Sequence, residues 1–141
     1  MRYLLDTCVV SELASKRPNP AVVRWVDAVD EDDLCLSVLA IGEIRKGIAK
    51  LPDSDRRNGL LQWLQDELLP RFAARIVPLD VEALLVWGEL TAGLELKGRP
   101  MPAVDSLLAA SALSGGFTLV TRNEADFADS GVRLLNPWRA A

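Results

Sequence analysis

The chain has 141 residues, of which half are hydrophobic and 26% are charged, and its formal net charge is −4. These values are typical of one globular domain, which we expect to span residues 1–141. The sequence contains no histidine, which excludes Ser–His–Asp triads, histidine general bases and zinc sites built on imidazole. Hydrolytic chemistry in this chain therefore has to use carboxylates, a lysine, a thiol or a bound metal.

The cysteines and the apolar segments favour a cytoplasmic protein. Cys8 and Cys35 are far apart and form no C-x-x-C pair, so they predict neither a disulfide framework nor a zinc ribbon. The N-terminal apolar run is interrupted by Asp6 and lacks the pattern of a signal peptide, and no apolar segment is long enough to span a bilayer. The negative net charge disfavours a polyanionic partner unless basic residues are grouped locally.

The first half of the sequence predicts two strands, each followed by helical sequence. The segment "RYLLD" has the pattern of a short buried strand that ends at Asp6. In "NPAVVRWVDAV", Asn19 is the predicted N-cap and Pro20 the first helical residue. "LCLS" is the second predicted strand, and its Ser37 caps a helix over "VLAIGEIRKGIAKL". Apolar residues recur in this helix at helical spacing, at Ile41, Ile44, Ile48 and Leu51.

The second half predicts three more strands with helices between them. A helix over "DRRNGLLQWLQDELLPRF" is expected to end near Pro70, and "RIVPL" is the third strand. Asp80 caps a helix over "VEALLVWGELTAGLEL", which the loop "KGRPMP" ends. "AVDSLLAASALSGG" is a helix of small residues that stops at Gly115 and Gly116. "FTLVT" is the fourth strand, a short helix follows, and "VRLLN" is the fifth strand.

This order of elements predicts an α/β fold. Short apolar strands separated by helical segments pair in parallel through right-handed crossovers. We therefore expect a small, mostly parallel sheet flanked by helices on both faces, which is a three-layer sandwich. In sheets of this kind, ligands bind beyond the carboxyl ends of the strands.

Four acidic residues lie in apolar surroundings near that edge of the predicted sheet. Asp6 and Asp126 follow predicted strands. Glu43 lies in the second turn of the helix after the second strand, and Asp105 lies in the first turn of the helix opened by Pro102. Because burying one unpaired carboxylate costs several kcal/mol, isolated acids in such surroundings are rare.

Each of these acids also has an ordinary structural explanation. Asp126 is compatible with a turn or cap, and Asp105 with the favourable end of a helix dipole. Glu43 has Lys46 and Lys50 as possible partners on its own helix. The convergence of all four at one sheet edge is what favours a functional site.

Four converging carboxylates predict a hard divalent cation. Like charges crowd together only with a compensating cation, and ligands that offer only oxygen select Mg²⁺ or Mn²⁺. Carboxylate-held Mg²⁺ keeps several waters and typically binds phosphate groups of a substrate. The residues therefore indicate metal-dependent phosphoryl chemistry.

Four segments resemble a known family, the PIN domain in the form found in VapC and FitB toxins. They are "LLDTCVVSEL", "SVLAIGEIRKGI", "PAVDSLLAASAL" and "TLVTRNEADF", and they follow the family's order from residue 4 to residue 127. The resemblance implies a PIN-like fold and a Mg²⁺- or Mn²⁺-dependent endoribonuclease. It also implies the toxin half of a type II toxin–antitoxin pair, with RNA as substrate and an antitoxin carrying a DNA-binding domain as partner.

The resemblance also implies roles for individual residues. Asp6, Glu43, Asp105 and Asp126 match its acidic cluster, and Asp6 and Asp105 match the positions most often assigned to the metal. Thr121 matches a hydroxyl that can hold a metal-bound water. Basic residues can flank the site, and Arg122 beside Thr121 is the favoured one; the other candidates are Arg45, Lys46, Lys50, Arg56, Arg57, Lys97 and Arg99.

The sequence departs from the family pattern at two places. Asn usually stands where this chain has Cys8, so a hydrogen bond around Asp6 is expected to be looser. A His often stands at the position of Gly115 or Gly116. Neither departure removes a carboxylate.

Two other functions remain open on the sequence alone. An aspartyl phosphotransferase would use Asp6 as its nucleophile, although such enzymes need a second acid where this chain has Cys8. A non-catalytic interaction module would keep the fold without binding metal.

Apolar helix faces predict two protein contacts. The helix over 81–96 carries enough apolar residues to favour a homodimer. Trp25 and Trp63 lie among aliphatic residues on two other helices, which together are candidates for an antitoxin groove. Burial of both tryptophans in the core is the competing interpretation.

Overall fold

The computed structural model describes residues 1–139 and contains one five-stranded parallel sheet. The strands are β1 (Tyr3–Leu5), β2 (Leu34–Ser37), β3 (Ile76–Val77), β4 (Thr118–Val120) and β5 (Leu134–Leu135). Their order in the sheet is β3-β2-β1-β4-β5. The predicted α/β class and the parallel pairing are confirmed.

Helices connect the strands. They are α1 (Thr7–Ala14), α2 (Pro20–Ala28), α3 (Val38–Ala49), α4 (Asp55–Trp63), α5 (Leu69–Phe72), α6 (Val81–Leu96), α7 (Ala103–Gly115) and α8 (Glu124–Phe127). A π turn, Leu64–Leu68, joins α4 to α5, and 3-10 turns at Glu31–Asp33 and Ala128–Ser130 precede β2 and follow α8. No helix among residues 1–139 has both the length and the apolar character that crossing a membrane requires.

The predicted helix caps are confirmed by local hydrogen bonds. The side chain of Asn19 accepts from the N–H of Ala21 at 2.9 Å, and Pro20 is the first residue of α2. Ser37 and Asp80 likewise accept backbone N–H groups at the starts of α3 and α6. At the end of α7, Gly116 adopts a φ of 69°, a left-handed conformation that favours glycine.

Two helical features differ from the prediction. Helix α1 begins directly after β1, with Asp6 as its N-cap, where the sequence suggested no helix before Asn19. The helix predicted to end near Pro70 continues to Phe72. A proline inside a helix removes one N–H and crowds the preceding turn. The π turn, in which the N–H of Leu69 bonds the carbonyl of Leu64, widens the helix just before Pro70.

The two faces of the sheet are covered by different helices. Leu5, Leu36 and Val120 belong to one buried cluster with residues of α1 to α5. The neighbouring strand residues Leu4 and Leu119 belong to a second cluster with residues of α7 and α8. Because successive strand residues point to opposite faces, this alternation produces the predicted three layers.

Candidate active site

The sheet reverses its strand order between β1 and β4. From β1 the chain runs through β2 to β3 on one side, and it then returns to place β4 on the other side of β1. Leu5 pairs with Val120 at the carboxyl ends of these strands, and the N–H of Asp6 donates to the Val120 carbonyl at 3.0 Å. A crevice at such a reversal is where parallel sheets bind ligands. Asp6 and Thr121 therefore enter the crevice side by side from two neighbouring strands.

Asp6 is held by both of its carboxylate oxygens. Its Oδ1 accepts the N–H of Thr7 at 2.7 Å as the cap of α1. Its Oδ2 accepts the hydroxyl of Thr121 at 2.8 Å. The residue is 8% exposed. With both oxygens bonded, the carboxylate has a fixed orientation and one narrow opening.

Thr121 positions Asp6. Its side chain is fully buried, and its hydroxyl also accepts the N–H of Asn123 at 3.0 Å. A hydroxyl has one proton to donate, and Asp6 receives it. The family resemblance implied that this hydroxyl can hold a metal-bound water, which stays a prediction, and in the structure the hydroxyl donates to Asp6.

Thr7 links the first two acids. Its backbone N–H bonds Asp6, and its hydroxyl donates to Oε1 of Glu43 at 2.9 Å. Glu43 is exposed in the second turn of α3, the helix that follows β2 on the other side of β1. Sequence reasoning missed Thr7, although it lies in the segment that carries the resemblance. Its role depends on a contact between residues 36 positions apart.

Asp105 responds electrostatically to the other three acids. Burial raises its pKa, and the charges of Asp126, Asp6 and Glu43 raise it further. The residue is half-buried in the first turn of α7. That turn is tied to α6, because the Trp87 indole N–H donates to the hydroxyl of Ser106 at 2.9 Å. Asp105 therefore lies close enough to the other three acids to be affected by their charges, and the four residues are here called the acidic cluster.

No basic side chain among residues 1–139 forms a salt bridge with the acidic cluster. Among residues 1–139, the four salt bridges involve Glu31, Asp129 and Glu124 as acids and none of the cluster. Asp126 is exposed in α8, and its N–H bonds the Asn123 carbonyl. Negative charge at this edge is therefore open to an external cation.

The donor set fits a magnesium-like ion. Within residues 1–139, no three Asp, Glu or Cys side chains are already arranged to hold one ion. Mg²⁺ keeps several waters and needs only one or two direct carboxylates. Asp6 is fixed by two hydrogen bonds and Glu43 accepts the Thr7 hydroxyl, whereas Asp126 is exposed. Such an ion would lower the pKa of Asp105 by offsetting its like-charged neighbours.

Cys8 occupies the space between Asp6 and Thr121. Its thiol is 3.8 Å from Oδ2 of Asp6 and 3.7 Å from the Thr121 hydroxyl, and it accepts the N–H of Arg122 at 3.5 Å. These contacts are longer than those of an amide side chain. Burial first, and then the charge of Asp6, raise the pKa of Cys8, and the Arg122 N–H opposes them. A thiol kept protonated in this way is a poor nucleophile.

The basic residues lie on two sides of the cluster. The Arg122 guanidinium stacks over the ring of Trp138, 5.4 Å from its centroid. Arg45 and Lys46 are exposed on α3, and Lys46 lines an open groove of about 570 Å³ that also reaches Glu43. The sequence did not predict the stacking of Arg122, because Trp138 is 16 residues further along the chain.

Comparison with known proteins places the chain in a family. The sequence model of the PIN domain matches residues 3–131. The chain belongs to the PIN-domain family. This PIN domain is 36% identical over 138 residues to "VapC ribonuclease Y4jK" of Sinorhizobium fredii, covering 98% of this chain and 99% of that protein. It is 34% identical over 135 residues to "Toxin FitB" of Neisseria gonorrhoeae, covering 96% and 97%.

A solved structure has the same architecture. The crystal structure of FitAcB from Neisseria gonorrhoeae superimposes on this PIN domain with a TM-score of 0.91 at 33% identity, and the match covers 98% of this chain and 99% of that one. The predicted PIN-like three-layer fold and the resemblance to VapC and FitB proteins are confirmed. The acidic cluster falls inside the part of the chain that matches the family.

Proposed function

We propose that this PIN domain is a Mg²⁺- or Mn²⁺-dependent endoribonuclease that acts as the toxin of a type II toxin–antitoxin pair. The observation that carries the proposal is the acidic cluster itself. Burial raises the pKa of Asp105, the charges of Asp126, Asp6 and Glu43 raise it further, and no basic side chain among residues 1–139 forms a salt bridge with the four acids. The relatives named ribonuclease and toxin support the nuclease and toxin roles.

Hydrogen bonds hold two of the proposed metal ligands, Asp6 and Glu43. Asp6 and Asp105, with Glu43 and Asp126, would hold the metal. When bound, a divalent ion polarises the scissile phosphate and makes a coordinated water more acidic. Thr121 and Thr7 keep Asp6 in one orientation. Thr7 also keeps Glu43 beside Asp6, where a carboxylate can accept a proton from an attacking water.

Basic residues around the cluster contact the RNA backbone in this proposal. Arg122 follows the buried Thr121 and is itself exposed, so it can bind a phosphate beside the cluster. Arg45 and Lys46 present positive charge from α3, on the side of Glu43. Phosphate contacts of this kind supply affinity that does not depend on sequence. They also remove the objection that a chain of net charge −4 avoids a polyanion.

An antitoxin and a second copy are the proposed protein partners, in the cytoplasm. Trp63 lines a groove of about 230 Å³ with Val10 and Leu13 of α1, here called the α1/α4 groove. Trp25 packs edge-on against Tyr3 at 5.1 Å, and both tryptophans are partly buried against the same core cluster. An antitoxin helix in the α1/α4 groove would bury apolar anchors.

The single-domain organisation of residues 1–141 also stays a prediction.

The homodimer surface is proposed on α6. Its side chains Val81, Leu84 and Leu85 are 75%, 45% and 69% exposed. Leu113 of α7, the helix packed along α6, is 38% exposed. A second copy covering these residues would remove an apolar patch from water.

Cleavage assays test the nuclease proposal. Purified protein should cut RNA with Mg²⁺ or Mn²⁺ and stop when a chelator is added. Asp6→Asn should lose most of this activity and stay folded. Its amide oxygen can still cap α1, and its amide N–H can donate to the Thr121 hydroxyl, which also accepts.

Two further variants make the assay specific. Asp105→Asn keeps the shape of a half-buried side chain and removes its charge, so the variant should stay folded and lose activity. Asp53→Asn changes an exposed acid in the loop before α4 and should retain wild-type cleavage. Full activity in excess chelator, or in both Asp6→Asn and Asp105→Asn, would refute the mechanism.

A non-catalytic module is the second candidate function. The observation that favours it is that no three acids among residues 1–139 are already arranged around one ion. Calorimetric titration with Mn²⁺ separates the two functions, because a silent module would release no binding heat. The aspartyl-phosphate alternative is disfavoured, since both oxygens of Asp6 are hydrogen-bonded and the residue is 8% exposed.

A further inference from the structure

An open groove of about 570 Å³ runs along α3 and reaches the acidic cluster. Its walls come from α3 and from the start of α7, and we call it the α3 groove. We propose that the α3 groove binds the single-stranded RNA next to the scissile phosphate, with Lys46 and Lys50 on successive backbone phosphates. This inference rests on the proposed nuclease function and assigns a path to its substrate.

The α3 groove is continuous with the acidic cluster. Glu43 lines the groove and also accepts the Thr7 hydroxyl that links it to Asp6. On the opposite wall, Val104 directly precedes Asp105. A strand cut at the cluster therefore has this groove as an adjoining channel.

The charges along the groove change sign with distance from the cluster. Lys46 and Lys50 follow Glu43 by three and seven residues. Lys50 is the C-cap of α3 and keeps helical backbone angles, so all three lie on one face of the helix and its end. Their backbone positions are about 4.5 Å and about 10.5 Å from that of Glu43 along the helix axis. Both lysines are exposed, and among residues 1–139 neither forms a salt bridge. Two successive ammonium groups without salt-bridge partners suit the sugar–phosphate backbone of an RNA strand that extends from the metal site.

The groove surface also suits bases. Val38 and Val104, which are 37% and 39% exposed, give it apolar contact area. Gly42 and Gly47 leave bare helix backbone on the α3 wall, where an added Cβ would meet nothing within 4 Å. Glycine inside a helix lowers its stability relative to alanine. Internal packing does not require glycine at either position, and its absence of a side chain keeps the groove wide.

RNA binding can be measured apart from cleavage on an Asp105→Asn background. The probe is a fluorescent single-stranded RNA of about 12 nucleotides, a length typical of single-strand sites. Its affinity is measured by fluorescence anisotropy from 50 to 200 mM salt. The Asp105→Asn protein is compared with the same protein that also carries Lys46→Gln and Lys50→Gln. Lys16→Gln, at an exposed lysine after α1 that does not line the groove, is the matched control.

The salt dependence gives the expected magnitude. Each phosphate contact to a single strand contributes about 0.7 to the slope of log affinity against log salt, so losing two lowers the slope by about 1.4. Over this fourfold salt range, the affinity of the Asp105→Asn protein that keeps both lysines should fall about sevenfold more than that of the double lysine variant. The KM for RNA cleavage in the wild-type background should rise in parallel, and Lys16→Gln should change neither quantity.

A second pair of variants tests the groove without altering charge. Gly47→Leu places a side chain in the α3 groove, whereas Gly59→Leu makes the same change in α4, where a Cβ also meets nothing within 4 Å. Only Gly47→Leu should weaken RNA binding, and melting curves should show both proteins folded.

The outcomes separate this inference from the nuclease proposal. Metal-dependent cleavage with a double variant that behaves like Lys16→Gln would overturn the α3 groove and leave the nuclease standing. Absent cleavage would refute the nuclease, and the anisotropy slopes would still decide whether the groove binds RNA. If Gly47→Leu changes the molecular mass in light scattering and leaves RNA affinity unchanged, a second copy occupies the groove and the inference is wrong.

Discussion

Replacing Thr121 by valine should destabilise the protein, because valine keeps the shape of threonine and removes its hydroxyl. That hydroxyl donates to Asp6 at 2.8 Å and accepts the Asn123 N–H at 3.0 Å. A hydrogen bond to a charged group contributes about 1.5–3 kcal/mol and a neutral one about 1 kcal/mol. Thr121 is fully buried and Asp6 is 8% exposed, so water restores little of the loss. We expect Thr121→Val to lower the free energy of unfolding by about 2–4 kcal/mol.

Urea unfolding of Thr121→Val and Thr121→Ser measures this contribution. Serine keeps the hydroxyl and removes one methyl group, so it should cost only about 1 kcal/mol. For a chain of this length, the valine variant should melt roughly 7–14 °C below wild type. Its kcat for RNA cleavage should also fall, because Asp6 is free to rotate, and serine should restore it. If valine is as stable and as active as serine, the hydroxyl does not position Asp6.

Three other predictions concern charge and surface. Burial first, and then the other carboxylates, raise the pKa of Asp105 in the folded protein. The stability that Asp105 contributes is therefore present below its unfolded pKa of about 3.9, and it is lost as pH rises through the folded pKa. Metal-free Asp105→Asn should therefore gain stability over wild type as pH rises, and a difference in unfolding free energy that is constant with pH would contradict this. Trp63→Ala should weaken inhibition by the antitoxin and keep the fold, whereas a loss of about 3–5 kcal/mol with unchanged inhibition would assign Trp63 to the core. Leu85→Lys should convert a homodimer into a monomer in light scattering, and a wild-type species of 15.4 kDa at micromolar concentration would exclude the dimer.

The acidic cluster was predictable because its members carry an unusual local signal. Asp6, Glu43, Asp105 and Asp126 are acids in apolar sequence, near strand ends or in the first two turns of a helix. Parallel strands end at one edge, so the position of each acid along its own element limits where its side chain can lie. Local sequence patterns did not predict the hydrogen bonds between residues that are distant in the sequence. Thr7 bonds Glu43 across 36 residues, and Thr121 bonds Asp6 across 115.

The sequence by itself determined where several helices begin. Asn19, Ser37 and Asp80 cap helices through contacts with backbone N–H groups two or three residues later, and such contacts need no other part of the chain. The composition likewise excluded histidine chemistry, because no fold can supply a side chain that the sequence lacks. Only the tertiary structure decided that β4 lies against β1, which gives Asp6 its buried hydrogen bond from Thr121. It also decided that α3 and the start of α7 face each other across a groove, because strand order and helix packing depend on burial of apolar surface between residues distant in sequence.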